Sequence, residues 1–106
     1  MRKYRNFYKI VRLLKKRCPA DLPIKVRRAK IPSDIDGDCD LKKDHYLIRI
    51  NKHLPEYVAV EVLIHELSHA VSWHKCLRED HCNEWGKSYS KIYRIFLKEF
   101  LDDDQT

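Results

Sequence analysis

Apolar residues recur along this chain with two different periods. Over residues 2–17, Tyr4, Phe7, Tyr8, Val11 and Leu14 fall at helical spacing. Arg2, Lys3, Arg5, Lys9, Arg12, Lys15, Lys16 and Arg17 cover much of the remaining surface. The pattern predicts a basic amphipathic helix within residues 1–20, with the apolar stripe turned to the core. Cys18-Pro19 ends it, because a residue before proline avoids the helical region. Ile24 to Ile31 mixes β-branched and basic residues and reads as a strand between Pro23 and Pro32. Its alternation slips between Val26 and Ala29, which points to a bulge. Ser33 to Asp38 is a turn by composition. Its Asp-x-Asp-Gly-Asp spacing is similar to a calcium loop, but no closing glutamate and no flanking helix accompany it. Tyr46 to Ile50 is the clearest strand, and Cys39 to Leu41 a short one before it. The expected sheet is three-stranded and mostly antiparallel.

The period then returns to that of a helix. Val60, Leu63, Ile64, Leu67, Ala70 and Val71 form one apolar face, which predicts a helix over 55–73. Pro55 suits the first helical position and Glu56 complements the positive helix end. A polar loop follows over 74–80. Residues 83–101 predict a last amphipathic helix, with Trp85, Tyr89, Ile92, Tyr93, Phe96 and Phe100 on one side. Residues 102–106 read as a frayed acidic tail. The fold class is α+β: an N-terminal helix, a small sheet, a central helix and a packing helix, in one domain spanning 1–106.

At 106 residues there is core enough for one small domain and little to spare. Lys+Arg of 22 against Asp+Glu of 16 gives a net charge of +6, which suits anionic partners such as DNA or RNA. Arg12, Lys15 and Lys16 are the residues expected to meet nucleic acid. No apolar core of a secretory signal follows the basic start, since Arg12 and Lys15 interrupt it. No stretch approaches a membrane span. A cytoplasmic location is therefore expected, and with it free thiols at Cys18, Cys39, Cys76 and Cys82. No pair of them has CxxC spacing, so neither a zinc ribbon nor a thioredoxin motif is present.

The candidate chemistry lies on the central helix, in His65-Glu66-Leu67-Ser68-His69. Residues four apart lie one turn apart on one helix face, so two imidazoles can aim at one point. Glu66 stands about 100° round from His65, where it can reach a water without ligating the metal. Catalytic zinc takes three protein ligands and leaves a position for water. His74, His81, Glu84, Cys76 and Cys82 are the candidates for the third. His74 points about 180° away from His65 on a continuing helix. His81 leads, because a chain reversal after the helix brings it back over the pair. Glu84 would close a site of two histidines and a glutamate.

The runs His65-Glu66-Leu67-Ser68-His69-Ala70 and His81-Cys82-Asn83-Glu84-Trp85-Gly86 resemble the core of the SprT-like (Spartan-type) zinc metalloproteases and the related small phage-type metallopeptidases. Gly37-x-Cys39 and Tyr46 to Asn51 also resemble that family's sheet, so the similarity covers residues 22–100. Cys82 departs from the glycine that often follows the third histidine there, and the zinc ribbon of some members is absent. The resemblance implies a minimal zincin-like domain binding one zinc ion through His65, His69 and His81. It implies Glu66 as the catalytic base of a metalloendopeptidase acting on proteins or peptides, including proteins attached to DNA. Substrate is expected along Tyr46, Ile48 and Ile50 if that strand is a sheet edge. The rival reading is a nucleic-acid-binding protein whose zinc is only structural.

Overall fold

A computed structural model describes residues 7–76 and 81–101. The elements run α1 (Phe7–Arg17), β1 (Ile24–Ala29), β2 (Gly37–Leu41), β3 (Tyr46–Asn51), α2 (Glu56–Ser72) and α3 (Asn83–Phe96). A 3-10 turn, Trp73–Lys75, follows α2, and a wider turn, Leu97–Leu101, continues α3. The class is α+β. Residues 2–6 of the expected first helix and the expected tail, 102–106, lie outside the described residues.

The sheet is mixed rather than mostly antiparallel. Its order is β1-β3-β2; β3 pairs antiparallel with β2 and parallel with β1. The cause is the placing of the most apolar strand. Tyr46, Ile48 and Ile50 are fully buried, so β3 takes the centre and its sequence predecessor is moved to the edge. β1 and β3, two strands apart in sequence, then run the same way. α2 lies across the face that Ile48 and Ile50 present, with α1 and α3 packed against it. Val60, Leu63, Ile64 and Leu67 are the buried side of α2, and Ile10, Val11 and Leu14 that of α1.

No bulge interrupts β1, whose pairing with β3 is continuous from Ile24↔Tyr46 to Ala29↔Asn51. Arg28 simply takes an inward position opposite Ile50. Its guanidinium donates to the carbonyls of Lys52 at 3.1 Å and Leu54 at 2.7 Å and lies 5.1 Å from the Phe7 ring centre. An arginine can stand among apolar residues when carbonyls take its protons and a ring its face. Tyr8, expected in the core stripe, is 44% exposed; its hydroxyl accepts from the Arg28 amide at 3.0 Å. α1 is thereby tied to the edge of β1. Asn51, buried at the end of β3, donates to the carbonyls of Pro32 and Ile35 at 3.1 and 2.9 Å. That single amide organises the loop leading into β2. No helix among the described residues is long and apolar enough to cross a membrane.

Pro55 is the N-cap of α2 rather than its first residue, and Glu56 Oε1 accepts from the Phe7 amide at 2.6 Å. Gly37 lets β2 approach α2 closely. A Cβ there would stand 2.7 Å from Val62 Cγ1 and 2.8 Å from the Arg49 carbonyl oxygen. The carbonyl belongs to the central strand and cannot move aside. Gly37→Ala is expected to destabilise the fold by about 1–3 kcal/mol through overpacking; an unaltered denaturant midpoint would show that the strand is free to shift.

Candidate metal centre

α2 carries His65 and His69 one turn apart, and the chain reversal after Lys75 returns His81 over them. The Nε2 atoms of His65 and His69 are 3.3 Å apart, and those of His65 and His81 3.4 Å. All three ligand atoms lie within 4.8 Å of one another. Nitrogens at tetrahedral positions around zinc, with bonds of about 2.0–2.1 Å, stand about 3.3–3.4 Å from each other. The distances from His65 to the other two rings fit that value. Three ring nitrogens meeting at one point cannot all satisfy one another by hydrogen bonding, whereas one cation accepts all three lone pairs. Burial and the nearby His81 hold His65 below the ordinary histidine range, toward the neutral form that ligates a metal.

The other candidates for third ligand stand elsewhere. α2 stops at Ser72, and the exposed His74 turns to Asp21, its Nδ1 2.9 Å from Oδ2. The Tyr46 hydroxyl donates to the other Asp21 oxygen at 2.6 Å. Glu84 faces Lys87 at 3.4 Å. Cys76 and Cys82 are joined as a disulfide with Cα atoms 5.6 Å apart. The expectation of free thiols holds for Cys18 and Cys39 and fails for this pair. The reason is geometric: the reversal that returns His81 to α2 brings its neighbour Cys82 beside Cys76. Closing so short a loop stabilises by about 2 kcal/mol in the chain-entropy account, and here the bond also restrains His81.

Trp85 is a residue that the sequence pattern assigned only to the packing side of α3. Its ring centre lies 5.1, 5.6 and 4.6 Å from those of His65, His69 and His81. Its Nε1 donates to the His65 carbonyl at 3.3 Å. It therefore backs all three imidazoles, and the signal was its place four residues after His81. Ser68 and Ser72 are buried on α2, where their hydroxyls donate to the carbonyls of Ile64 and Ser68 at 2.7 and 2.6 Å. Such back-bonding lets small polar residues sit at a tight helix contact.

Glu66 is 8% exposed. It has no hydrogen-bond partner among the described residues and forms part of the wall of a cleft of about 380 Å³ that also touches His65, Gly37 and Tyr89. Burial, and next the charge of Asp38, push its carboxyl up to about 7. Cys39, on the β2 face near it, is pushed up to about 12, chiefly by burial and then by Glu66.

The expected substrate strand is corrected. Tyr46, Ile48 and Ile50 belong to the central strand and are fully buried, so neither a free edge nor a side chain is open there. The unpaired edge of the sheet beside the cleft is that of β2. Arg12 and Lys16 are exposed and Lys15 half-buried on α1, and none has an acidic partner among the described residues. A scan against protein-family models finds no match to this chain, and a search of curated proteins finds no relative.

Two outcomes are expected. The protein should bind one zinc ion per chain, and His65→Ala, His69→Ala or His81→Ala should weaken binding by about 100-fold or more while His74→Ala leaves it intact. Zinc titration monitored with a competing chelator decides this; loss in His74→Ala with retention in His81→Ala would reverse the assignment. Second, Glu66 makes the chelator-treated protein sensitive to pH. Its folded-state pKa is raised, so its contribution is fully present below about 4.5 and is lost as pH rises through about 7. Unfolding free energies of wild type and Glu66→Gln should diverge between pH 5 and pH 8, the wild type falling behind by at most about 3 kcal/mol. A constant difference would mean that the carboxylate is solvated.

Proposed function

We propose that the chain is a zinc metallopeptidase of the SprT-like kind, with a zincin-like arrangement of strand, metal helix and third histidine. The observation that carries this reading is Glu66: a buried carboxylate without a partner, next to three converging imidazoles and facing a cleft. A purely structural zinc site has no use for such a group, whose burial costs stability. Zinc held by His65, His69 and His81 would supply a Lewis acid with an open position and lower the pKa of water there.

The chain's own residues do the rest. Glu66 takes a proton from the attacking water on a carboxylate oxygen and passes it to the leaving amine. Trp85 packs against all three imidazoles and helps to hold their orientation. An extended peptide can add to the open edge of β2, where main-chain groups are free to pair. Arg12, Lys15 and Lys16 supply a cationic helix end for nucleic acid, consistent with protein substrates attached to DNA.

Glu66→Gln separates this mechanism from a structural role. The variant should fold and hold zinc near wild-type occupancy, while cleavage of an unfolded protein falls by at least about 100-fold. Equal activity in the two proteins would refute the mechanism. Loss of zinc in the variant would make Glu66 a ligand or a support instead.

A further inference from the structure

One covalent cross-link stands beside the imidazole cluster. Cys82 follows His81 directly, and it is bonded to Cys76, the C-cap of the turn after α2. Neither cysteine belongs to the apolar core, and both are half-buried, so a small thiol can reach the bond. The other two cysteines are free. Burial, the largest cause for each, raises the thiols of Cys18 and Cys39 above the ordinary cysteine range, so neither is poised to attack the bond. The oxidised pair therefore lies where the chain gathers possible metal ligands, and the thiols elsewhere stay out of its chemistry.

The two sides of the bond are held differently. On the Cys76 side the turn is tied to the sheet. Trp73 packs on Tyr46 with ring centres 5.7 Å apart, His74 Nδ1 lies 2.9 Å from an Asp21 oxygen, and the Cys76 amide donates to the Ser72 carbonyl at 3.1 Å. On the other side His81 is exposed. Among the described residues its ring meets only His65, His69 and Trp85, and its main chain makes no hydrogen bond to them. The disulfide is thus the covalent tie between a fixed turn and the third imidazole. The helices do not need it. α3 is held by Ile92 and Phe96, both buried in the core. The cysteines are only six residues apart, and so short a loop contributes little to overall stability in the chain-entropy account. Loss of the bond therefore falls on His81 rather than on the fold.

Resting on the metal-binding reading above, we propose that Cys76 and Cys82 form a redox switch for the metal centre: the oxidised pair holds His81 in place for zinc, and reduction by a dithiol frees His81 and releases the metal. In the exchange one thiol of the reductant, as thiolate, attacks a sulfur of the pair and forms a mixed disulfide; the other protein sulfur leaves and takes a proton. The second thiol of the reductant then displaces the remaining protein sulfur. Two electrons and two protons pass to the chain, which ends with two thiols, and the reductant ends as a disulfide. A small-molecule disulfide reverses the exchange. Reduction leaves two ordered imidazoles where a catalytic zinc needs three protein ligands.

Zinc affinity, measured against a chromophoric chelator, tests the switch in the oxidised chain, in the chain reduced with a phosphine, and in Cys76→Ser with Cys82→Ser. The phosphine replaces the dithiol, whose sulfurs would themselves compete for zinc. Reduction and the double substitution should each weaken binding by at least about tenfold, the order expected for freeing a short loop, while the far-UV spectrum stays that of the folded chain. In the metal-free protein, reduction should remove the Trp85 ring-current shift from the His81 ring protons and leave those of His65 and His69 in place. Equal affinity in the three proteins would overturn the proposal. Tighter binding by the reduced chain, with thiolates serving as ligands, would overturn it too, as would unfolding on reduction, which would make the bond a staple of the fold. Cleavage of an unfolded protein separates the switch from the peptidase reading. The expected loss of affinity, with no cleavage by the oxidised zinc-loaded chain, upholds the switch and defeats the peptidase. Cleavage with equal affinity before and after reduction leaves the peptidase standing and removes the switch. Zinc bound by none of the three proteins would defeat both.

Discussion

Two imidazoles one helical turn apart define a point in space, and the rest of this small domain is arranged to bring a third imidazole to it. α2 alone can aim His65 and His69; it cannot supply the third, because the helix surface turns away by His74. The chain must stop its helix, reverse and come back. The stop is at Ser72, the reversal is closed by Cys76–Cys82, and α3 starts at Asn83, immediately after the returned histidine. Trp85 then packs on all three rings. From it a ladder of aromatic rings descends α3 through Tyr89, Tyr93, Phe96 and Phe100, with centres 5.2 to 6.3 Å apart. The ladder connects the point where the imidazoles meet to the core, since Phe96 and Phe100 are buried there. Packing energy at one end of α3 thus fixes ring geometry at the other.

The sheet serves the same helix from the opposite side. Its central strand is apolar enough to hold α2 by burial alone. Its β2 edge must come close, and the absence of a side chain at Gly37 permits that approach. The strand that comes so close brings Asp38 within electrostatic reach of Glu66, and the carboxyl is raised by burial and by that charge together. A close edge strand and a poised carboxyl are therefore one structural feature.

Much of this arrangement was legible in the residue pattern. Element type follows from period, and the periods of α2, β3 and α3 are strong because each buries a continuous apolar face. The i, i+4 histidines and the returning His81 were readable because helix geometry and ligand count leave few alternatives. Strand order was not readable. Parallel pairing of β1 with β3 depends on which strand is most apolar, and three short strands connected by loops admit either order. Arg28 reads as a break in alternation only when side chains are sorted into polar and apolar; its guanidinium finds carbonyls that lie far along the chain. The disulfide escaped because the spacing of Cys76 and Cys82 matches no short motif, and their meeting depends on a reversal that only His81 hints at.

Charge ties the site to the surface. Lys and Arg exceed Asp and Glu over the chain, and most carboxylates among the described residues are matched locally by a cation or a donor. The cleft departs from this. Burying Glu66 unmatched beside it, within reach of the Asp38 charge, costs stability chiefly through desolvation. A small domain with a limited core has little stability to spare. A metal cation held by the adjacent imidazoles would offset such a cost.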